Sequence, residues 1–198
     1  MKLHEFNEEF RQLITIVATS MNLSESAIER DYYIVLMLQN LEKSMYAERC
    51  VFKGGTSLSK CYPGSIERFS EDIDLTFLGG EISDKQYDKK LKEIEKIITN
   101  GFETEKIVEE RNNRNKSILA WRESRDKKIK LEIGSSVRPD PYGKKEVKTY
   151  IQEYLEKLGL NKDIEKFELC TVTINTLSIE RTFIDKLMSI KRHAICGT

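Results

Sequence analysis

Apolar side chains recur at helical spacing through the first part of the chain. A first helix is predicted from an inward face of Phe6, Phe10, Leu13, Ile14 and Val17, and a second from Ile34, Val35, Leu38 and Leu41. The run Asp31-Tyr32-Tyr33 falls at or near the start of this second helix. An amphipathic helix is predicted from Asp84 to Asn100, ended by Gly101. Another is predicted near 147–158.

Alternating apolar and polar positions predict strands in the middle of the chain. Residues Val51 to Asp74 are predicted as a strand, a short helix and a second strand. Pro139, Pro141 and Gly143 are predicted to close the meander that follows. Because strands arranged as a meander lie between helices, the pattern favours an α+β fold with a mixed sheet. The later strands are predicted near 102–110, 116–123, 127–137 and 169–176, with a hairpin turn at 112–115.

Two short motifs carry the candidate chemistry. Gly54 and Gly55 open a predicted short helix, whose first backbone N–H groups and positive dipole end favour a phosphate. Asp72 and Asp74 are separated by one residue in a predicted strand, so their side chains point the same way. Two close carboxylates repel each other unless a cation lies between them. The combination predicts a phosphate site beside a divalent-metal site, although either motif alone is typical of a capped turn or a solvated strand edge.

A third carboxylate is predicted on a neighbouring strand. Residues 129, 131 and 133 are apolar and form one face, which leaves Lys130 and Glu132 on the other. Glu132 is therefore a candidate metal ligand, and a solvated antiparallel strand would show the same alternation. Near the end of the chain, Lys186 lies on a predicted helix entered through Ser178. The inward side chains of that helix are predicted to be Ile179, Phe183, Ile184 and Leu187.

These residues resemble a known family. The order Gly-Gly, short helix, Asp-x-Asp resembles the polymerase-β-like nucleotidyltransferases. More narrowly, the segment from Lys53 to Leu58, with Arg68, Ser70, Asp72 and Asp74, resembles the AbiEii/AbiGii nucleotidyltransferase toxins. The resemblance covers roughly residues 28–192. The family continues past the lysine helix into a helical C-terminal region with an Arg-Asp-x-x-Asp-like segment, whereas this sequence stops at Thr198.

The resemblance implies a Mg²⁺-dependent reaction that transfers a nucleoside monophosphate from an NTP to an acceptor hydroxyl, with the tRNA 3′ end as the expected acceptor. It also implies a toxin-antitoxin or phage-defence system and a cognate antitoxin. Asp72, Asp74 and Glu132 would hold two Mg²⁺ ions and, with Lys186, form the catalytic group. Lys186 would contact phosphates, although a lysine that extends along a helix flank would look the same. The implied nucleotide-binding residues are Gly54, Gly55, Thr56, Ser57, Arg68, Ser70 and Lys186.

A basic stretch in the central hairpins is the candidate RNA surface. Charged hairpin edges also serve simply to prevent edge-to-edge strand pairing, so both interpretations stay open. The cations proposed for RNA contact are Arg122, Arg125, Lys127 and Lys128.

The amino-acid composition excludes few of the possible functions. The 33 Lys and Arg residues balance 33 Asp and Glu residues, so no global positive field attracts nucleic acid. The four cysteines are widely spaced, which favours reduced thiols. Neither a signal peptide nor a membrane span is expected, and a cytoplasmic location follows.

Two parts are expected, an N-terminal helical segment at 1–47 and a catalytic domain at 48–198. A non-catalytic NTP-binding or partner-binding protein, or an enzyme acting on a small molecule or a protein, remains an alternative.

Overall fold

The structure is a computed structural model that describes residues 1–66, 70–135 and 138–196. A seven-stranded sheet forms its centre, in the order β3-β4-β5-β2-β1-β7-β6. The strands, numbered in chain order, are β1 Cys50–Lys53, β2 Ile73–Phe77, β3 Glu103–Lys106, β4 Asn115–Trp121, β5 Ile129–Gly134, β6 Tyr142–Val147 and β7 Val172–Leu177.

The sheet is mixed. Strand β2 runs parallel to β5, and β1 runs parallel to β7, whereas the other neighbouring pairs are antiparallel. The α+β mixed sheet predicted from the meander is therefore confirmed. The hairpin predicted at 112–115 is closed by an isolated bridge between Asn112 and Asn115.

Seven α-helices of the described residues accompany the sheet. Helix α1 and helix α2 contribute apolar side chains to the same core as the sheet, including Phe10, Val17 and Leu38. None of the described helices is both long and apolar enough to cross a membrane. The bounds are α1 Asn7–Met21, α2 Glu25–Glu42, α3 Gly54–Cys61, α4 Asp84–Ile98, α5 Tyr150–Lys157, α6 Asn161–Lys166 and α7 Ile179–Cys196.

Helix α2 begins earlier than the sequence pattern predicted. The Ser24 hydroxyl caps it by accepting from the Ala27 backbone N–H at 3.1 Å. The placement of Asp31, Tyr32 and Tyr33 near a helix start is therefore wrong. They lie inside the helix, and all three side chains are buried.

The prediction that Pro139, Pro141 and Gly143 close the meander is also incomplete. Gly143 lies within β6, an edge strand that pairs antiparallel with β7. Its exposed positions are mostly polar or charged, as is usual for an edge strand, so the apolar alternation that identifies a half-buried strand is missing. Helix α6, only six residues long, was not predicted either.

A buried ion pair joins three helices beneath the glycine motif. Lys60 of α3 donates from Nζ to Asp31 Oδ1 of α2 at 2.6 Å, and both side chains are at most 2% exposed. Asp31 Oδ2 also accepts from the Tyr150 backbone N–H of α5 at 2.7 Å, and Lys60 Nζ lies 3.9 Å from the centroid of the Tyr150 ring. Burial raises the pKa of Asp31, while Lys60 and the Tyr150 amide oppose that shift.

Replacing Asp31 by Ala is expected to lower the free energy of unfolding by about 3–5 kcal/mol, because the Lys60 ammonium is left buried and unpaired. The double variant Asp31→Leu with Lys60→Met should recover most of the loss. Urea unfolding of both variants checks this. Lys2→Ala, at the exposed pair with Glu168, is the control and should change little. Equal losses in the single and double variants would contradict the assignment.

Candidate active site

The site begins where strand β1 passes into helix α3. Gly54 has φ +83°, and a Cβ atom there would lie 2.1 Å from Asp74 Oδ2. Only a glycine therefore allows the helix to start against the Asp74 carboxylate. No side chain caps this helix at Lys53. The first backbone N–H groups of α3 accordingly point outward with no intrahelical acceptor, and they favour an anion.

The hydroxyls of the glycine motif support the turn. Thr56 Oγ1 donates to the backbone carbonyl of Asp72, and Ser57 Oγ donates to the Gly54 carbonyl at 2.9 Å. Both side chains are buried. The Thr56 hydroxyl therefore ties α3 to the residue that precedes β2, while the Ser57 hydroxyl bonds within α3. The backbone N–H groups of Gly55 and Thr56 have no acceptor inside the helix and are available to a ligand.

Strand register brings two of the predicted carboxylates together. Asp74 is the Cα partner of Glu132 on β5 and, on its other side, of Lys53 on β1. Side chains of paired residues lie on the same face of a sheet, so these three form a row across the sheet. Ser117 of β4 extends the row beyond Glu132.

The electrostatics of this row centre on Asp74. Burial raises the pKa of the Asp74 carboxyl, Glu132 and Asp72 raise it further, and Lys53 and Lys130 lower it. The fold thus concentrates negative charge in a place where water does not fully solvate it, which fits residues that hold a cation. Within the described residues, no three His, Cys, Asp or Glu side chains already stand as a closed metal-binding group.

The loop before β2 carries the remaining residues of the motif. Asp72 is exposed, and Ser70 is partly exposed. The predicted nucleotide ligand Arg68 lies outside the described residues. Glu71 forms an ion pair with Arg30 of α2, and Arg30 also donates to the Asp126 carbonyl at 3.3 Å. The segment leading to Asp72 and the turn between β4 and β5 are therefore fastened to the same guanidinium.

Helix α7 differs from the prediction. Ser178 precedes it as predicted, and its carbonyl accepts from the Thr182 hydroxyl at 2.9 Å. The apolar positions are exposed instead of inward, with Phe183 at 62% and Ile184 at 53%. Helical spacing places these residues on one face, but among the described residues no neighbouring element buries that face. Ile179 and Leu187 are exposed as well.

Lys186 projects from this helix as an exposed side chain. Within residues 1–66, 70–135 and 138–196 its ammonium makes no hydrogen bond or ion pair. The structure therefore does not join Lys186 to the carboxylate row.

Three of the four predicted RNA-contacting cations already face protein groups. Arg125 pairs with Glu105 at 2.6 Å and lies over the Trp121 ring, and Lys127 pairs with Glu29 of α2. Arg122 lies 5.9 Å from the Phe102 ring centroid. Lys128 is partly exposed.

Two lysines belong to the site without having been predicted there. Lys53 stands beside Asp74 in the row, and in the described part of the chain it forms no ion pair. Lys130 lies 2.7 Å from Glu110 and 3.5 Å from Glu132. The sequence pattern that could have identified Lys130 is the two-residue period of a strand, which places it on the same face as Glu132. Lys53 could have been identified because it directly precedes Gly54.

A glycine-opened helix set against a strand carboxylate, with a second carboxylate on the next strand, is the arrangement expected of nucleotidyltransferases. The sequence model described as "Nucleotidyl transferase AbiEii toxin, Type IV TA system" matches residues 36–194. The chain therefore belongs to the AbiEii nucleotidyltransferase toxin family. This family generally uses a divalent metal.

One solved structure supports the fold. The chain is similar to MenT4, a nucleotidyltransferase toxin from Mycobacterium tuberculosis H37Rv, at 21% identity and a TM-score of 0.61, over 90% of this chain and 59% of that one. It is also similar to JHP933 from Helicobacter pylori, at 20% identity and a TM-score of 0.49, over 83% and 57%. This chain thus spans less than two thirds of the length of those structures. No match was found among curated proteins.

The contact between Gly54 and Asp74 can be tested by two matched substitutions. Gly64 has φ +77° and open space around it, so Gly64→Ala should cost only the backbone strain of about 1–2 kcal/mol. Gly54→Ala adds the overlap with Asp74, and its free energy of unfolding should fall by about 1–3 kcal/mol more. Urea unfolding of both variants measures the difference. Equal losses of unfolding free energy in the two variants would mean that the Asp74 side chain moves aside without cost.

Proposed function

We propose that this protein transfers a nucleoside monophosphate from an NTP to an acceptor hydroxyl and releases pyrophosphate. The supporting observation is the register of Asp74 and Glu132 beside the uncapped start of α3. An anion-binding helix end thereby lies next to a cluster of carboxylates. Incubation with each α-labelled NTP and total RNA tests the proposal, and the absence of label transfer would contradict it.

Each group has a distinct role in this proposal. Gly55, Thr56 and Ser57 at the start of α3 donate to the β- and γ-phosphates, with Gly54 leaving room for Asp74. Asp72, Asp74 and Glu132 would hold Mg²⁺ in a two-metal site. When bound, the metal supplies positive charge to the reacting phosphate and lowers the pKa of the acceptor hydroxyl.

The reaction proceeds by one displacement. The acceptor oxygen forms a bond to the α-phosphorus, and the bond from that phosphorus to the bridging oxygen breaks. Pyrophosphate leaves with the electron pair, and the acceptor proton passes to the Glu132 carboxylate. Lys186 offsets the charge that develops on pyrophosphate, while Arg68 and Ser70 orient the triphosphate and carboxylates.

Membership of the family supports an NTP substrate and an antitoxin partner. The proposed acceptor is RNA, with the tRNA 3′ end expected, and Arg122, Arg125, Lys127 and Lys128 form the proposed docking surface. We further propose a cytoplasmic location, a cognate antitoxin, and residues 48–198 as the catalytic part supported by helices of residues 1–47.

Asp74→Asn should abolish transfer without harming the fold. Removing one metal ligand is expected to lower the rate on the order of a thousandfold. Because the raised pKa of Asp74 means that its charged form opposes folding, neutral Asn should leave unfolding free energy at pH 7 unchanged or higher. Label transfer and urea unfolding check the two parts. Near-normal transfer in the variant would mean that Asp74 is not a metal ligand.

Lys186→Ala is expected to lower kcat/KM by about a hundredfold, because compensation of the pyrophosphate charge is lost. Its melting temperature should hardly change, since the side chain is exposed. Lys191→Ala, also exposed on α7, is the matched control and should retain full activity. An unchanged kcat/KM in Lys186→Ala would mean that Lys186 is a surface residue with no part in the reaction.

A further inference from the structure

A small pocket lies between helix α2 and the turn that leads into β3. Its volume is about 410 Å³, toward the small end of the range of about 300–1,000 Å³ that is typical of ligand sites. None of its described lining residues belongs to the glycine motif or to the carboxylate row. The polar and aromatic groups that line it include His4, Tyr33, Phe102, Arg122 and Glu123.

Three aromatic rings form walls of this pocket. The Tyr33 ring meets the Phe102 ring edge to face, with centroids 5.8 Å apart, and lies 6.4 Å from the His4 ring centroid. The Arg122 guanidinium lies 5.9 Å from the centroid of the Phe102 ring. A ligand in the pocket therefore has aromatic surfaces to pack against, and these surfaces favour an aromatic ring in the ligand.

The Tyr33 hydroxyl is a buried donor at this pocket. Tyr33 is 3% exposed, and among the described residues its hydroxyl has no hydrogen-bond partner. A buried polar group without a partner costs free energy, and most such groups in folded proteins have one. Burial raises the pKa of Tyr33, the Glu123 carboxylate raises it further, and Arg122 lowers it. Both of these charges therefore act on the Tyr33 hydroxyl.

His4 offers a second donor. Tyr32 Oη accepts from the His4 backbone N–H at 3.4 Å and lies 2.8 Å from His4 Nδ1. In the described part of the chain Nδ1 is the only acceptor for the Tyr32 proton, so Nδ1 accepts. Burial lowers the pKa of His4 to about 4, so the ring is neutral at pH 7 and carries its proton on Nε2. That Nε2–H group makes no printed bond within residues 1–66, 70–135 and 138–196, which leaves it available to a ligand.

Arg122 and Glu123 add one charge of each sign. Among the residues that the structure describes, neither side chain forms a hydrogen bond or an ion pair, with the other or with a third residue. An anion alone would face the Glu123 carboxylate. A cation alone would leave three donors without an acceptor. A zwitterion satisfies both sets of groups, since the donors bind a carboxylate and the Glu123 carboxylate binds an ammonium.

We infer that this pocket binds a free α-amino acid with an aromatic side chain. The carboxylate of the ligand accepts from Tyr33 Oη, His4 Nε2 and the Arg122 guanidinium. Its ammonium pairs with Glu123, and its ring packs against the Phe102 ring. Tyr33 and Glu123 have no part in the proposed transfer reaction, so binding at this pocket can be measured independently of that reaction.

Isothermal titration calorimetry of the full chain, without NTP or RNA, tests the site with three probes. L-Phenylalanine carries both charges, L-phenylalaninamide lacks the carboxylate, and N-acetyl-L-phenylalanine lacks the ammonium. L-Phenylalanine should bind in the millimolar range or tighter, and the affinity of each analogue should be lower by about tenfold or more. An analogue that binds as well as L-phenylalanine would identify a peptide end as the ligand and would overturn the inference. Failure of L-phenylalanine to bind would overturn it as well.

Tyr33→Phe removes only the hydroxyl. It should lower the affinity for L-phenylalanine by about tenfold, while the urea midpoint of unfolding stays the same or rises, because no hydrogen bond of the free protein is lost. The matched control is Tyr87→Phe, whose hydroxyl donates to the Gly80 carbonyl at 2.8 Å outside this pocket. The control should lower the midpoint and leave the affinity unchanged. Unchanged affinity in Tyr33→Phe would contradict the proposed site.

Glu123→Gln removes the charge that is proposed to pair with the ammonium. It should weaken the binding of L-phenylalanine by about tenfold and leave that of N-acetyl-L-phenylalanine unchanged, because the acetylated probe has no ammonium to lose. Equal weakening of the two probes, or no weakening of either, would show that Glu123 does not recognise the ammonium.

Discussion

The buried ion pair of Asp31 and Lys60 is the constraint on which the site depends. Removing these two charges from water costs free energy. The Tyr150 amide, which donates to Asp31, and the Tyr150 ring, which contacts the Lys60 ammonium, help to offset that cost. The pair anchors the C-terminal half of α3 to α2 and α5, and the Thr56 hydroxyl bonds the opposite half to the Asp72 carbonyl. The first N–H groups of α3 stay available for a ligand, since side chains hold the helix in place.

Much of the site could be predicted from the sequence because its residues follow simple periods. The alternation of side chains along a strand was enough to predict that Asp72 and Asp74 point the same way. It also predicted that Glu132 lies on the face opposite the apolar residues of its strand. The pairing of Asp74 with Glu132 needed the parallel register of β2 and β5, which joins residues 58 positions apart and leaves no local signature. The role of Gly54 depends on the same neighbour, because its close approach is to a side chain 20 residues away.

The features that the sequence did not show have a common physical origin. A helical period shows that Phe183 and Ile184 share a face, but not whether another element covers it. A count of basic residues shows that Arg125 and Lys127 are close in sequence, but not that Glu105 and Glu29 face them. Edge strand β6 has one buried residue, Val147, so its sequence does not show the apolar alternation that predicts a strand. Contacts with distant neighbours were missed, while the apolar period within the longer elements was predicted.

Arg30 has a consequence for how the molecule can move. Its guanidinium holds Glu71, next to the carboxylate strand, and the Asp126 carbonyl in the turn between β4 and β5. Because both loops contact one planar group, and the helix that carries Arg30 is packed in the core, a shift of the turn between β4 and β5 should also move the segment that leads to Asp72.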